Sequence, residues 1–118
     1  APEACFLFIG PSDMATNVNG SMQTSPQLPD VIDILRETAH KCGVAYWDLY
    51  SVMGGRNSMV KWVRSTPPLA GADYIHFTHR GADRTGDFLS ESLMLYYDYY
   101  RWRNKPLDQQ IKEALKGE

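Results

Sequence analysis

Asp73 and His76, which lie three residues apart, are the residues of this chain whose types and spacing best suit catalysis. They directly precede a long helical pattern. A carboxylate at this spacing can accept the N–H of one imidazole nitrogen, which fixes the tautomer and leaves the other nitrogen as a general base. We therefore predict that the pair forms half of an active site, although no nucleophile for this base is evident in the sequence.

Two short apolar runs predict strands that would position this pair. Residues 5–9 form a continuous apolar and aromatic run that ends at Gly10-Pro11, which fits a strand covered on both faces in a parallel sheet. Residues 44–48 predict a second strand. Residues 10–27 are rich in small polar residues without periodicity, which predicts a long loop at the carboxyl end of the first strand. Functional loops of α/β folds lie at that edge.

Helical periodicity appears in the segments around these strands. A helix is predicted from Leu28, with Pro29 in its first turn, to near Cys42. A short helix around residues 59–63 follows, and Thr78 is predicted to cap a long helix. The predicted apolar stripe of the long helix, expected to face the core, consists of Ala82, Gly86, Leu89, Leu93, Tyr96 and Tyr100. The pattern leaves residues 105–118 as a tail or a short terminal helix.

Three segments together resemble a known family. They read CFLFIGPSDM at residues 5–14, VAYWDLYSVMGGRN at 44–57 and DYIHFTHRG at 73–81. This series is similar to the C-terminal part of the SGNH/GDSL-type lipases, esterases and acylhydrolases, over roughly residues 4–103. The family's last block is D-x-x-H, and it maps here onto Asp73 and His76.

The resemblance implies a fold and a reaction. The fold would be α/β, the C-terminal part of a three-layer α/β/α, flavodoxin-like sandwich with parallel strands, in which residues 1–104 supply the last βα units. The reaction would be hydrolysis of a small-molecule or carbohydrate ester by a Ser-His-Asp triad without a cofactor. The family's Gly-Asp-Ser nucleophile motif and oxyanion donors do not occur in this sequence and are expected upstream of Ala1. A periplasmic or secreted location is also implied by resemblance alone.

Other residues suit a cleft or a metal less specifically. Ser12 and Asp13 follow the first strand and, with Arg56, are candidates for lining the cleft. Ser12 is a weak candidate nucleophile because its surroundings lack the pattern of a nucleophile turn. His79 extends the motif to D-x-x-H-x-x-H, which offers three ligand types for a metal but no evident fourth ligand. We predict no metal site.

The composition of the chain limits which other classes of protein it can belong to. The chain is 43% hydrophobic and 22% charged, as is typical of a globular domain. A net charge of -2 with interspersed acids and bases argues against nucleic-acid binding. No apolar run is long enough to span a membrane. Cys5 and Cys42 form no metal or disulfide pattern and are predicted to be buried thiols.

A second hypothesis is a non-catalytic module that binds a partner or itself. Two parallel strands alone bury little area, so the strand at residues 5–9 is predicted to have an exposed edge that supports a homodimer. Tyr97, Tyr99 and Trp102 on the long helix are candidates for contact with a sugar or a protein partner.

Overall fold

The computed structural model describes residues 3–117, and this part of the chain contains four strands and five helices. In chain order they are β1 Leu7–Ile9, β2 Ala15–Val18, β3 Ser21–Thr24, α1 Leu28–Lys41, β4 Ala45–Trp47, α2 Leu49–Met53, α3 Ser58–Arg64, α4 His79–Arg103 and α5 Leu107–Ala114. The chain divides into two compact units, one up to Thr85 and one from Gly86. Helix α4 contributes to both units.

The first unit is built on a parallel strand pair. Strand β1 pairs with β4 in the register Leu7 to Ala45, Phe8 to Tyr46 and Ile9 to Trp47. The amide of Gly10 extends this ladder by donating to the carbonyl oxygen of Trp47 at 2.8 Å. Helix α1 precedes β4 in the chain, and its residues Leu28, Ile32 and Ala39 are buried. The predicted helix from Leu28 and the parallel arrangement are confirmed.

The predicted loop at residues 10–27 is wrong, because most of it forms an antiparallel hairpin. Strands β2 and β3 pair from Ala15 opposite Thr24 to Val18 opposite Ser21. The two-residue turn is Asn19-Gly20, with φ angles of 51° and 87°. Two positive φ angles match the right-handed twist of the strands, and Asn-Gly is the dipeptide that adopts them most readily. The Asn19-Gly20 dipeptide is therefore a local signal for a hairpin, which hydrophobic periodicity does not reveal.

The prediction that β1 is covered on both faces is also wrong. Leu7, Phe8 and Ile9 are 41%, 43% and 48% exposed. Within residues 3–117, β1 pairs with β4 alone, so its other edge is open in the described part of the chain. The two cysteines are exposed rather than buried: Cys5 precedes β1, and Cys42 lies at the end of α1.

The core of the first unit includes residues of α2 and α3. Leu49 and Met53 of α2 and Met59 and Trp62 of α3 are all buried. The Trp62 ring lies 5.4 Å from that of Phe77, which anchors the segment just after His76 to this core. The predicted short helix around residues 59–63 is confirmed as α3.

Helix α4 begins where the sequence predicts but does not bury the predicted stripe. The Thr78 hydroxyl oxygen accepts the N–H of Gly81 at 3.2 Å, as a helix cap should. Gly81 is the buried residue of α4, whereas Tyr96 and Tyr100, expected to face inward, are 71% and 57% exposed. Tyr97, Tyr99 and Trp102 are exposed as well. None of the helices in residues 3–117 combines the length and hydropathy that a membrane crossing needs.

Candidate functional site

A compact turn positions Asp73 and His76. The Gly71 amide donates to the His76 carbonyl oxygen at 2.8 Å, and the Tyr74 amide donates to the Gly71 carbonyl oxygen at 3.0 Å. Tyr74 has a φ of 59°, a left-handed conformation that costs a bulky residue free energy and reverses the chain. The turn thus brings the two ends of the D-x-x-H motif together.

The Asp73 carboxylate holds both the backbone of the turn and the imidazole. Its Oδ1 accepts the amides of Ile75 and His76, each at 3.1 Å. Its Oδ2 lies 2.7 Å from His76 Nδ1. With Asp73 ionised, Nδ1 must carry the shared proton, so Nε2 is the nitrogen left to accept one. Nε2 has no hydrogen-bond partner among residues 3–117.

The pair faces outward, with 81% of the His76 side chain and 48% of the Asp73 side chain exposed. The His76 side chain, followed by the amides of His76 and Ile75, lowers the pKa of Asp73 to about 2 by hydrogen bonding. The carboxylate therefore stays ionised throughout the neutral range.

Removal of the imidazole should raise the pKa of Asp73 from about 2 towards its ordinary value, since the His76 side chain is the largest cause of the shift. The His76→Ala variant should show this in an NMR pH titration of the Asp73 carboxylate carbon. His40→Ala, a change at a distant exposed histidine, should leave the midpoint unmoved.

The sign of the linked effect on stability follows from the depressed pKa. The native interactions of Asp73 stabilise the fold above the unfolded pKa of about 3.9, and this contribution disappears as pH falls through about 2. If Asp73 of the wild-type protein titrated with a midpoint near pH 3.9, that result would contradict the observed hydrogen bonding.

The turn that holds Asp73 and His76 is tied to the chain that leaves the carboxyl end of β1. The amide of Ala15 donates to the Tyr74 carbonyl oxygen at 3.1 Å. Beside the turn lies an open hollow of about 670 Å³, which is lined by Met14, strand β2, Asn19, residues 25–27 and Ile75. Ile75 directly precedes His76 in the chain, so the hollow reaches the turn that holds the pair, although His76 itself is not among its lining residues. Hydrophobic periodicity predicts an irregular loop at residues 10–27, so it does not reveal that β2 and Asn19 line this hollow.

Asp13 is the most buried acidic residue in the described chain, with 0% of its surface exposed. Its Oδ2 accepts the Met59 amide at 2.9 Å and the Ser58 hydroxyl at 3.4 Å, so it braces the first turn of α3. Its Oδ1 is buried and has no hydrogen-bond partner within residues 3–117. The structure therefore places Asp13 beneath the surface rather than on it.

The remaining candidates lie apart from the pair. Ser12 is half-buried and lines neither the hollow beside Ile75 nor the smaller hollow at Arg56. Arg56 is exposed at the smaller hollow, whose volume is about 190 Å³. No three His, Cys, Asp or Glu side chains of residues 3–117 are grouped closely enough to bind a metal ion. Asp73, His76 and His79 thus do not form the ligand cluster that their spacing allowed.

Comparisons with known proteins give one informative match. No protein-family model matches the sequence, and a search of curated proteins finds no match. A solved structure of a peptidoglycan O-acetylesterase matches with a TM-score of 0.72 and 27% sequence identity, over 80% of this chain. The chain is similar to an esterase. It spans 27% of the length of that structure's chain.

The match confirms the predicted fold class. The parallel pair β1–β4 and its helices form a mixed α/β structure similar to an SGNH hydrolase. The esterase-type fold predicted from the three sequence segments is supported at this coarser level. The catalytic roles of Asp73 and His76 and the GDSL type stay predictions.

Proposed function

We propose that this chain supplies the Asp73–His76 pair of a serine esterase that removes an acyl group from a carbohydrate. The observation that carries the proposal is the 2.7 Å contact between Asp73 Oδ2 and His76 Nδ1, in a turn that leaves Nε2 without a hydrogen-bond partner among the described residues. The likeness to a peptidoglycan O-acetylesterase supports an O-acetylated glycan as the substrate. The serine is expected from residues outside this sequence.

The reaction is a two-step acyl transfer. His76 Nε2 accepts the serine hydroxyl proton as the serine oxygen bonds to the ester carbonyl carbon. The resulting imidazolium then gives this proton to the departing sugar oxygen as the carbon–oxygen bond breaks, which leaves an acyl-serine. A water molecule, deprotonated by His76 in the same way, hydrolyses the acyl-serine. Asp73 keeps the imidazole oriented and stabilises its charged form in both steps. No cofactor takes part.

An assay of the 118-residue chain alone tests whether the nucleophilic serine lies outside this sequence. Incubated with p-nitrophenyl acetate, it should release p-nitrophenol no faster than an equal concentration of free imidazole, because no serine hydroxyl among residues 3–117 is hydrogen-bonded to the His76 ring. Ser12→Ala is the diagnostic variant. Rapid turnover by the wild-type chain that Ser12→Ala abolishes would show that the chain carries its own nucleophile.

A second candidate function is self-association through β1. It is favoured by the exposure of Leu7, Phe8 and Ile9 and by the open edge of this strand among the described residues. An unpaired, apolar strand edge is a template for pairing with another chain. The two functions are compatible, since β1 and the catalytic turn are different surfaces.

Association through this edge predicts a dimer whose stability depends on β1. Light scattering of the chain at high concentration should give twice the monomer mass. Phe8→Lys should shift the sample towards monomer, because it places a charge on the exposed strand. Val31→Lys, a matched change at an exposed apolar residue of α1, should not. A wild-type monomer at all concentrations would remove this candidate.

A further inference from the structure

Arg56 lies on a turn that the fold holds in an unusual conformation. The residues around it, Gly54, Gly55 and Asn57, have φ angles of 116°, 69° and 62°. The Asn57 amide donates to the Thr24 hydroxyl oxygen at 2.7 Å, and the Thr24 amide donates to Asn57 Oδ1 at 2.9 Å. These reciprocal bonds fasten the turn to the end of β3. The backbone that carries Arg56 is therefore fixed relative to the hairpin.

The guanidinium of Arg56 borders a hollow and lacks an acidic partner. The hollow of about 190 Å³ is lined by Thr24, Ser25, Pro26, Pro29 and Arg56. In the described part of the chain, residues 3–117, Arg56 forms no salt bridge, whereas Arg36 bonds both Asp33 and Asp48. A cation that borders a hollow without an internal counter-ion is available to an anionic ligand.

The charge of Arg56 also reaches the interior of this region. Burial is the largest cause of the raised pKa of Tyr50, and the charge of Asp13 raises it further. A hydrogen bond with Thr24 and the positive charge of Arg56 act in the opposite direction. Arg56 is therefore close enough to Tyr50 to influence the pKa of its hydroxyl.

The Arg56 hollow shares a border with the hollow beside the catalytic turn. Ser25 and Pro26 line both of them. The larger hollow reaches Ile75, which is the neighbour of His76 in the chain. A ligand that extends across the Ser25–Pro26 turn can therefore contact Arg56 at one end and Ile75, the residue before His76, at the other.

We propose that Arg56 binds a carboxylate of the glycan ester substrate, in a subsite across the Ser25–Pro26 turn from His76. The proposal rests on the esterase function and deepens it, since it assigns the substrate class as an ester of a carboxylate-bearing glycan. The two coplanar oxygens of a carboxylate match the two parallel N–H donors of a guanidinium. Arg56 would act in specificity and affinity rather than in the chemical step.

The test is binding of two disaccharides that differ in one group. One carries a carboxylate and the other carries the corresponding methyl amide, and each is titrated into the isotope-labelled chain by NMR. The carboxylate form should bind about fivefold or more tightly, as expected for an exposed charge-assisted contact, and should shift the amides of Thr24, Ser25 and Asn57. Salt near 0.5 M should remove most of this preference, because exposed charges are screened.

Three arginine variants distinguish a specific subsite from a general effect of positive charge. Arg56→Gln should abolish the preference for the carboxylate, and Arg56→Lys should retain part of it, since a lysine keeps the charge but loses the two-pronged geometry. Arg64→Gln removes the same charge from an exposed residue at the end of α3 that lines neither hollow and should keep the preference.

Several outcomes would overturn the proposal. These are equal binding of the two disaccharides to the wild type, equal losses in Arg56→Gln and Arg64→Gln, or tighter binding of a matching phosphorylated disaccharide than of the carboxylate form. Because the readout is binding, it is independent of hydrolysis. Failure here would leave the esterase proposal intact, and an inactive enzyme would leave the carboxylate subsite intact.

Discussion

Replacement of His76 by alanine should lower kcat by about 10⁴-fold or more in a protein that contains both this chain and the proposed serine. The serine then loses its general base, and the leaving group loses its general acid. KM should change much less, since the imidazole acts mainly in the transition state. The measurement is steady-state hydrolysis of p-nitrophenyl acetate and release of acetate from an O-acetylated glycan.

Asp73→Asn should lower kcat by about 10²- to 10⁴-fold while the protein stays folded. The amide can no longer receive the Nδ1 proton as an ionised carboxylate does, and it does not stabilise the imidazolium. Oδ1 accepts the amides of Ile75 and His76, and the Asn side-chain oxygen can keep these two bonds. A large kinetic loss in a folded protein is therefore expected, with only a small fall in melting temperature from the lost charge-assisted bond to His76.

His79→Ala is the matched control for His76→Ala. It removes an imidazole three residues further along the chain, at the first residue of α4, where the side chain is exposed. Its kcat should remain within a few-fold of the wild type. Activity within tenfold of the wild type in His76→Ala would overturn the catalytic role, and equal losses in the two variants would point to helix disruption instead.

Substitution of Gly81 by alanine should destabilise the first unit strongly. A Cβ at Gly81 would overlap the carbonyl oxygen of Leu69, and the carbon atom of that carbonyl would be 2.9 Å away. Backbone atoms cannot swing aside as a flexible side chain can, so α4 would have to move away from Leu69. We expect a loss of roughly 2–4 kcal/mol in the free energy of unfolding, measured by urea denaturation.

The same change at Gly86 is the control within the same helix. An added Cβ there meets no atom of the described chain within 4 Å. Alanine is the better helix former, so Gly86→Ala should stabilise by about 0.5–1 kcal/mol. A similar result for the two glycines would mean that helix propensity alone decides the effect and that Gly81 is not packed against Leu69.

Gly81 also links stability to the candidate site. Its amide donates to the hydroxyl oxygen of Thr78, whose own amide donates to the Leu69 carbonyl oxygen at 3.1 Å. These bonds lie two residues after His76. A shift of α4 should therefore alter the turn that holds Asp73 and His76, and any folded Gly81→Ala protein should show a higher pKa at Asp73 than the wild type has.

The sequence alone determined the features that depend on neighbours in the chain. Asp73 and His76 are three residues apart, so one turn suffices to join their side chains. Thr78 caps α4 through the Gly81 amide by the same short-range logic. The hairpin at Asn19-Gly20 was equally local, and a turn-based interpretation of residues 15–24 would have found it.

Only the tertiary structure decided where these local elements lie and which faces they bury. Asp13 is buried because α3, more than forty residues away along the chain, presents Ser58 and Met59 to it. Tyr96 and Tyr100 have the spacing of a buried stripe yet are exposed, and β1 is apolar yet uncovered. Hydrophobic spacing shows which face of an element would gain free energy by burial, but burial requires a second surface, and spacing within one element does not specify that partner.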